Sequence, residues 1–250
     1  MKLLAIDTGT SALSIAVCRP DGASQRIWSH SGEGGAQASA ALIPAVLELL
    51  QQAELGLAEL DAIAFGAGPG SFTGLRTACA VAQGLGFGAG VPLLPVDSLL
   101  AVAEQARFSL GGGAPLDVYA VLDARMDEVY AARYAWDGAK WSMPASWSVS
   151  KPEVLTALAN ELPLSAPAAP APRRIAAGNA FAEYGERLLP GWPQVPALPT
   201  ATAMLRLAPA LLAAGQAVAA EYAMPRYIRD KVAQTTAERA AQKAAAAASG

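Results

Sequence analysis

The stretch of this chain best equipped for chemistry is Gly66-Ala67-Gly68-Pro69-Gly70-Ser71-Phe72-Thr73-Gly74-Leu75-Arg76, which holds four glycines in its first nine residues. Residues without a Cβ let the backbone reach positive φ and let another backbone or a ligand come close. The stretch therefore reads in two ways: a tight strand-to-helix turn, or a phosphate cradle, for which a glycine-rich loop alone is weak evidence. Acid–base and metal chemistry are poorly supplied. His30 is the one histidine, and the two cysteines, Cys18 and Cys79, stand apart with no Cys-x-x-Cys spacing, so no metal-ligating set is expected. A single imidazole would have to serve every candidate base, and no His-Glu-x-x-His, Gly-x-Ser-x-Gly or Ser/His/Asp set can be assembled.

The elements that would position the glycine-rich turn follow from periodicity. Residues 3–7 read as a buried strand, Thr8-Gly9-Thr10 as a polar turn, and 11–17 as a second strand with Leu13, Ile15 and Val17 alternating. Asp21-Gly22 turns the chain into a third strand at 25–29. After a glycine-rich loop at 31–37, Leu42, Val46, Leu49, Leu50 and Ala53 recur at helical spacing, with Ile43 and Leu47 on a second apolar face and Pro44 at the first turn or a kink. Residues 60–65 form the strand before the turn, and 72–88 a helix that is apolar or small nearly all round. A strand at 91–96 and a helix at 98–108, N-capped by Ser98, complete a first lobe.

Gly111-Gly112-Gly113 marks a boundary. Beyond it come a strand at 118–122, a polar turn at 123–128, a returning strand at 129–134 and a strand near 140–143. A helix follows at 152–160 with proline at its start, then a proline-rich loop at 163–172, a strand at 175–177 and a helix at 180–188. Residues 192–199 read as irregular, 202–214 as a helix kinked at Pro209, 222–228 as extended, and 235–250 as a fraying Ala-rich tail. The expected organisation is a first lobe over 1–110, a second over 111–200, a helix and extended segment over 201–233 packing back on the first lobe, and a disordered tail over 234–250.

The chain has 250 residues, 16% of them charged and 53% apolar, with a net charge of −3. Charged residues usually make up roughly a quarter of a soluble protein, so this surface invites a protein partner. The acidic balance excludes a free-standing nucleic-acid binder, which needs a basic stripe to displace counterions. Asp7 comes too early for a signal peptide's apolar core, and the Ala-rich run at 77–96 is interrupted by glycines, Gln83, Pro92 and Pro95. A soluble, cytoplasmic protein is expected, with reduced cysteines and no membrane contact.

Ala5-Ile6-Asp7-Thr8-Gly9-Thr10 before a hairpin resembles the first phosphate loop of the superfamily that includes actin, the heat-shock chaperone ATPases and sugar kinases. With Gly68-Pro69-Gly70-Ser71-Phe72-Thr73-Gly74-Leu75-Arg76, Asp123-Ala124-Arg125-Met126-Asp127-Glu128-Val129-Tyr130 and Pro225-Arg226-Tyr227-Ile228-Arg229 in that order, the chain is similar to the TsaB (YeaZ) family. The resemblance implies an α/β, two-lobed actin-like (ribonuclease H-like) fold of mixed sheets flanked by helices. It also implies a non-catalytic accessory subunit for forming threonylcarbamoyladenosine on tRNA. TsaD would be its catalytic partner and the ATPase TsaE would complete the complex. Contact with tRNA would be indirect, and the isolated chain would be a homodimer. The rival reading is a free-standing ATP-binding kinase or ATPase of the same superfamily.

TsaD resembles this family in fold but carries a metal-binding His-x-x-x-His motif, and residues 37–41 here supply no histidine. By the resemblance, Asp7 would act through magnesium and Thr8, Gly9 and Thr10 would hold phosphate, with Asp123 in the comparable second-lobe position. There Arg125, Met126, Asp127 and Glu128 replace small residues, and the added carboxylates would repel a triphosphate. The expectation is therefore a degenerate nucleotide cleft with no cofactor of its own, which leaves room for a nucleotide at a shared interface of the complex. Leu42, Ile43, Val46, Leu47 and Leu50 on the first helix, with Leu75, Arg76, Cys79, Ala82, Gln83 and Phe87 on the second, are the expected partner face. The turn Gly68–Gly74 would be the hinge presenting it, its glycines serving close packing between chains. On that expectation, glutamate at Val46 or Ala82 abolishes TsaD binding and leaves the monomer folded.

Overall fold

The computed structural model describes residues 1–35, 38–142, 146–161 and 172–228. Strand β1 (Leu3–Asp7) is buried along its whole length. Its side chains alternate between two apolar layers, Leu3 and Ala5 to one and Leu4 and Ile6 to the other, as the two-residue period of a strand requires. β2 (Ala12–Asp21) and β3 (Ser24–Glu33) continue as an antiparallel meander, and β4 (Ala62–Gly68) and β5 (Leu93–Asp97) add in parallel on the other side, giving the order β3-β2-β1-β4-β5. β6 (Leu116–Arg125), β7 (Glu128–Trp136), β8 (Ser148–Ser150), β9 (Arg173–Gly178) and β10 (Gln194–Pro196) form a second sheet, β8-β7-β6-β9-β10, with the same strand senses. The two lobes thus repeat one topology.

Helices fill the layers between and outside the sheets. α1 (Ala38–Gln52) and α2 (Phe72–Ala89) cover the outer face of the first sheet, where Leu42, Val46, Leu49 and Leu50 of α1 and Ala78, Cys79 and Ala82 of α2 join Ile6, Ile15, Ile63 and Phe65 in one core. α3 (Ser98–Ser109) and α6 (Ala201–Ala213) lie between the two sheets, and their core runs without a break from Leu3, Ala62 and Val96 to Val118, Leu122 and Tyr134. α4 (Pro152–Glu161) and the short α5 (Phe181–Tyr184) cover the far face of the second sheet. Two five-stranded mixed sheets with helices on both faces form the two-lobed actin-like, ribonuclease H-like architecture.

Several expected boundaries move. α3 is N-capped by Asp97, one residue before Ser98; its side chain accepts from the amides of Leu99 at 2.9 Å and Leu100 at 3.4 Å, as aspartate commonly does at a helix N-terminus. The helix expected at 180–188 breaks at Gly185 into α5 and a 3-10 turn, Gly185–Arg187. The strand expected near 140–143 reduces to a single bridge between Trp136 and Trp141, with 143 outside the described residues. β8 and β10, three residues each, fall where no strand was expected. Pro44 lies inside an unbroken α1 and Pro209 inside α6. The proline-rich loop from 163 to 171 and the tail from 229 lie outside the described residues. Among those described, no helix is long and apolar enough to cross a membrane.

Candidate functional site: the cleft between the lobes

β1 ends at Asp7, and the chain turns through Thr8, Gly9 and Thr10 directly beneath the loop that joins β4 to α2. The two turns close on each other through the backbone: Ser71 N donates to Gly9 O at 2.7 Å and Thr8 Oγ1 donates to Gly74 O at 2.6 Å. A Cβ on Gly74 would come within 1.8 Å of Thr8 O, and one on Gly66 within 1.9 Å of Asp7 Oδ2. Only residues without side chains let these loops lie so close. The expected role of these glycines in packing between chains is corrected here: they pack the chain against itself.

This closure defines the environment of Asp7. The carboxyl is completely buried; Oδ1 accepts from Gly9 N at 3.0 Å, and Oδ2 has no hydrogen-bond partner among the described residues. Burial raises its pKa to about 7, only partly opposed by the Gly9 hydrogen bond, because a low-dielectric site disfavours the charged form.

Above the closed turns a cleft of about 530 Å³ separates the lobes. Gly9, Thr10, Ser11, Ser71 and Phe72 line it from the first lobe, Asp123, Arg125, Met126 and Asn179 from the second. Asp123 stands at the end of β6, comparable to Asp7 at the end of β1, but its surroundings are polar. Its Oδ1 accepts from Arg125 N at 2.8 Å, Arg125 Nη1 lies 3.1 Å from Oδ2, and Asp123 N donates to Asn179 Oδ1 at 2.9 Å. Arg125, Met126 and Asp127 take left-handed φ of 61°, 58° and 62°, an unfavourable run for residues with side chains. The turn is held from behind. The Tyr184 hydroxyl lies 2.9 Å from Asp123 Oδ1 and 3.0 Å from the Glu128 carbonyl, and Arg187 binds Asp127 at 2.8 Å and also Glu153. Burial, with the Asp123 hydrogen bond second, pushes the Tyr184 hydroxyl up to about 12, so it remains a donor. Arg125 and Met126 line the cleft where small residues would admit phosphates, and Asp7 is not part of its lining. The arrangement does not fit a magnesium–triphosphate held by two turn aspartates.

The expected partner face divides. Leu42, Val46, Leu50, Cys79 and Ala82 are buried in the chain's own core, because α1 and α2 turn these positions onto the sheet, and Leu75 is buried against the Gly9 and Gly68 turns. This corrects their assignment to a surface, and with it the expectation that glutamate at Val46 or Ala82 leaves the monomer folded. Ile43 (45% exposed), Leu47 (51%) and Phe87 (78%) do face outward. Gln83 and Arg76 are taken up within the chain. Gln83 Nε2 donates to the carbonyls of Ala220 and Ala223, and Arg76 Nε donates to Tyr227 OH at 3.1 Å with its guanidinium 3.8 Å above the Phe72 ring. His30 lies exposed on the edge strand β3, opposite Ile15. Sequence reasoning missed Asn179, Tyr184 and Arg187, whose roles depend on contacts more than fifty residues or thirty residues away. It also missed that Arg226, Tyr227 and Ile228 line the cleft, although Pro225-Arg226-Tyr227-Ile228-Arg229 had stood out as a motif.

Residues 32–249 match the family model described as TsaD, tRNA N6-adenosine threonylcarbamoyltransferase. The chain is 32% identical to the tRNA threonylcarbamoyladenosine biosynthesis protein TsaB of Escherichia coli, over 93% of this chain and 96% of that protein. It is 33% identical to the TsaB of Haemophilus influenzae, over 93% and 95%. The solved structure of YeaZ from Pseudomonas aeruginosa superposes with a TM-score of 0.75 at 36% identity, covering 91% of this chain and 99% of that one. Similarity of this extent, spanning both lobes and the turns that close between them, means that the chain belongs to the TsaB (YeaZ) family.

Proposed function

We propose that this chain is a non-catalytic accessory subunit in tRNA threonylcarbamoyladenosine biosynthesis, acting in the cytoplasm. It docks a TsaD homologue, TsaE completes the assembly, and tRNA is met only through that complex. The process is the one named for its TsaB relatives. The observation that carries the docking role is the outward set of Ile43 and Leu47 on α1 and Phe87 on α2, large apolar side chains left exposed on helices whose inner faces are packed on the sheet. Exposed apolar groups on rigid helices are what a protein partner buries. In the absence of TsaD, the same face pairs two copies of the chain.

The closed first turn supports the non-catalytic part of the reading. Asp7 is sealed beneath the Gly66–Gly74 loop, so the chain brings no cofactor chemistry of its own, and a nucleotide enters only at an interface shared with the partner. Co-expression with TsaD and TsaE, with the modified adenosine quantified in tRNA, tests the proposal. Modification should require this chain, and Leu47→Glu with Phe87→Glu should lose TsaD in a pull-down while the melting temperature stays within a few degrees. Retention of TsaD by the double variant would reject the docking face. Sustained ATP hydrolysis by the isolated chain, lost in Asp7→Asn, would favour the kinase or ATPase reading.

A further inference from the structure

After α6 the chain runs back across the first lobe. Val218 pairs with Leu93 at the outer edge of β5, with N–O distances of 2.8 and 2.9 Å. The next residues follow α2 from its C-terminal end towards its N-terminal end. Gln83 Nε2 donates to Ala220 O at 3.1 Å and to Ala223 O at 3.0 Å, and Cys79 Sγ lies 3.5 Å from the Ala223 carbonyl. Tyr227 accepts from Arg76 and sets its ring 5.2 Å from that of Phe72. Arg226 N donates to Ala67 O at 2.6 Å, and the Arg226 guanidinium lies 5.6 Å over the Trp147 ring of the second lobe. Arg226, Tyr227 and Ile228 then form part of the cleft wall.

One segment therefore meets α2 at successive levels and ends at the cleft. A single 3-10 turn, Ala220–Tyr222, is its regular structure, and Tyr222 (73% exposed) and Met224 (69%) face solvent. A segment in which only Ala220 and Ala223 are buried and which is otherwise held by a few hydrogen bonds belongs towards the low end of local stability. Gly68 makes its seat. With φ at +110°, a Cβ there would fall 2.6 Å from Arg226 O.

We propose that residues 218–228 are a strap that couples α2 to the inter-lobe cleft, so that engagement of α2 alters the cleft wall and occupancy of the cleft alters α2. The inference rests on the docking role above only for what engages α2. Coupling of this kind is reciprocal by linkage, so it can be tested from both ends on the isolated full-length chain by hydrogen–deuterium exchange.

Gln83→Leu removes two hydrogen bonds to the strap without touching the cleft, and should raise exchange of the Arg226 amide roughly tenfold or more. Arg226→Ala, which removes the guanidinium that lines the cleft over Trp147, disturbs the cleft end and should raise exchange of the Val218 and Leu93 amides. Wild-type protection at the distant end in either variant would overturn the proposal, since coupling in one direction alone is not linkage. If Arg226→Ala does not fold, Ile228→Ala, which trims the last side chain of the strap at the cleft wall, takes its place under the same criterion. A TsaD pull-down with the wild-type chain separates the two readings: coupling in the variants with no capture of TsaD by the wild type leaves the strap standing and rejects the docking role.

Discussion

Asp7 ends β1 with one carboxylate oxygen on the Gly9 amide and the other facing Gly66. Its pKa of about 7 lies above the unfolded value near 3.8. The folded state therefore binds more protons between those limits. The resulting stabilisation is fully present below about pH 4 and is lost as the pH rises through about 7. Asp7→Asn has no proton to lose, so its melting temperature relative to the wild type should climb steadily from pH 4 to pH 8. The swing should be on the order of a few kcal/mol. Parallel stability curves for the two proteins would contradict this. The glycine pattern around Asp7 was legible in the sequence, but its purpose was not. Gly66 and Gly74 face Asp7 and Thr8 from across the chain, and only the pairing of β1 with β4 shows what each glycine must clear.

Adjacent positions on α1 carry opposite consequences. Val46 points into the core against the sheet, whereas Leu47 faces outward. Val46→Glu should destabilise the fold by about 3 kcal/mol or more, as burial of an unpaired charge requires. Leu47→Glu should stay within about 0.5 kcal/mol of wild type, and urea denaturation of both variants would show the contrast. Periodicity located the apolar positions of α1 and α2 but assigned both buried and exposed members to one partner surface, because a helical repeat does not reveal which stripe the sheet claims. The long elements were legible because their patterns are long. β8 and β10 span three residues each and owe their pairing to neighbours distant in sequence. Asp97 and Ser98 are adjacent residues of types that both cap helices, so the sequence alone did not tell which one holds the first amides of α3.

The two lobes share one interior. Buried side chains of α3 pack on both sheets and those of α6 on the first sheet and α3, in one continuous core, and two buried carboxylates fasten the lobes further. Asp97 Oδ2 accepts from the Tyr134 hydroxyl and from Trp147 Nε1 of the second lobe; burial raises its pKa, and these bonds with the cap amides oppose the shift. Glu104 would be raised by burial, but hydrogen bonds from Arg107, Trp141 and Arg206 outweigh it and keep the carboxylate ionised. The lobes should therefore unfold as one unit. Calorimetry should show a single transition with equal calorimetric and van't Hoff enthalpies, and two separated transitions would refute a common core. The Gly111–Gly113 signal marked where the second sheet begins, but the sequence held no sign that Glu104, Trp141 and Arg206 would meet. The bridge between Val218 and Leu93 also has a consequence for solubility. It covers part of the outer edge of β5, whose backbone groups would otherwise be open to pairing with a strand of another molecule. A chain that lost its hold on Val218 would meet its first difficulty as aggregation, before any failure in what it recognises.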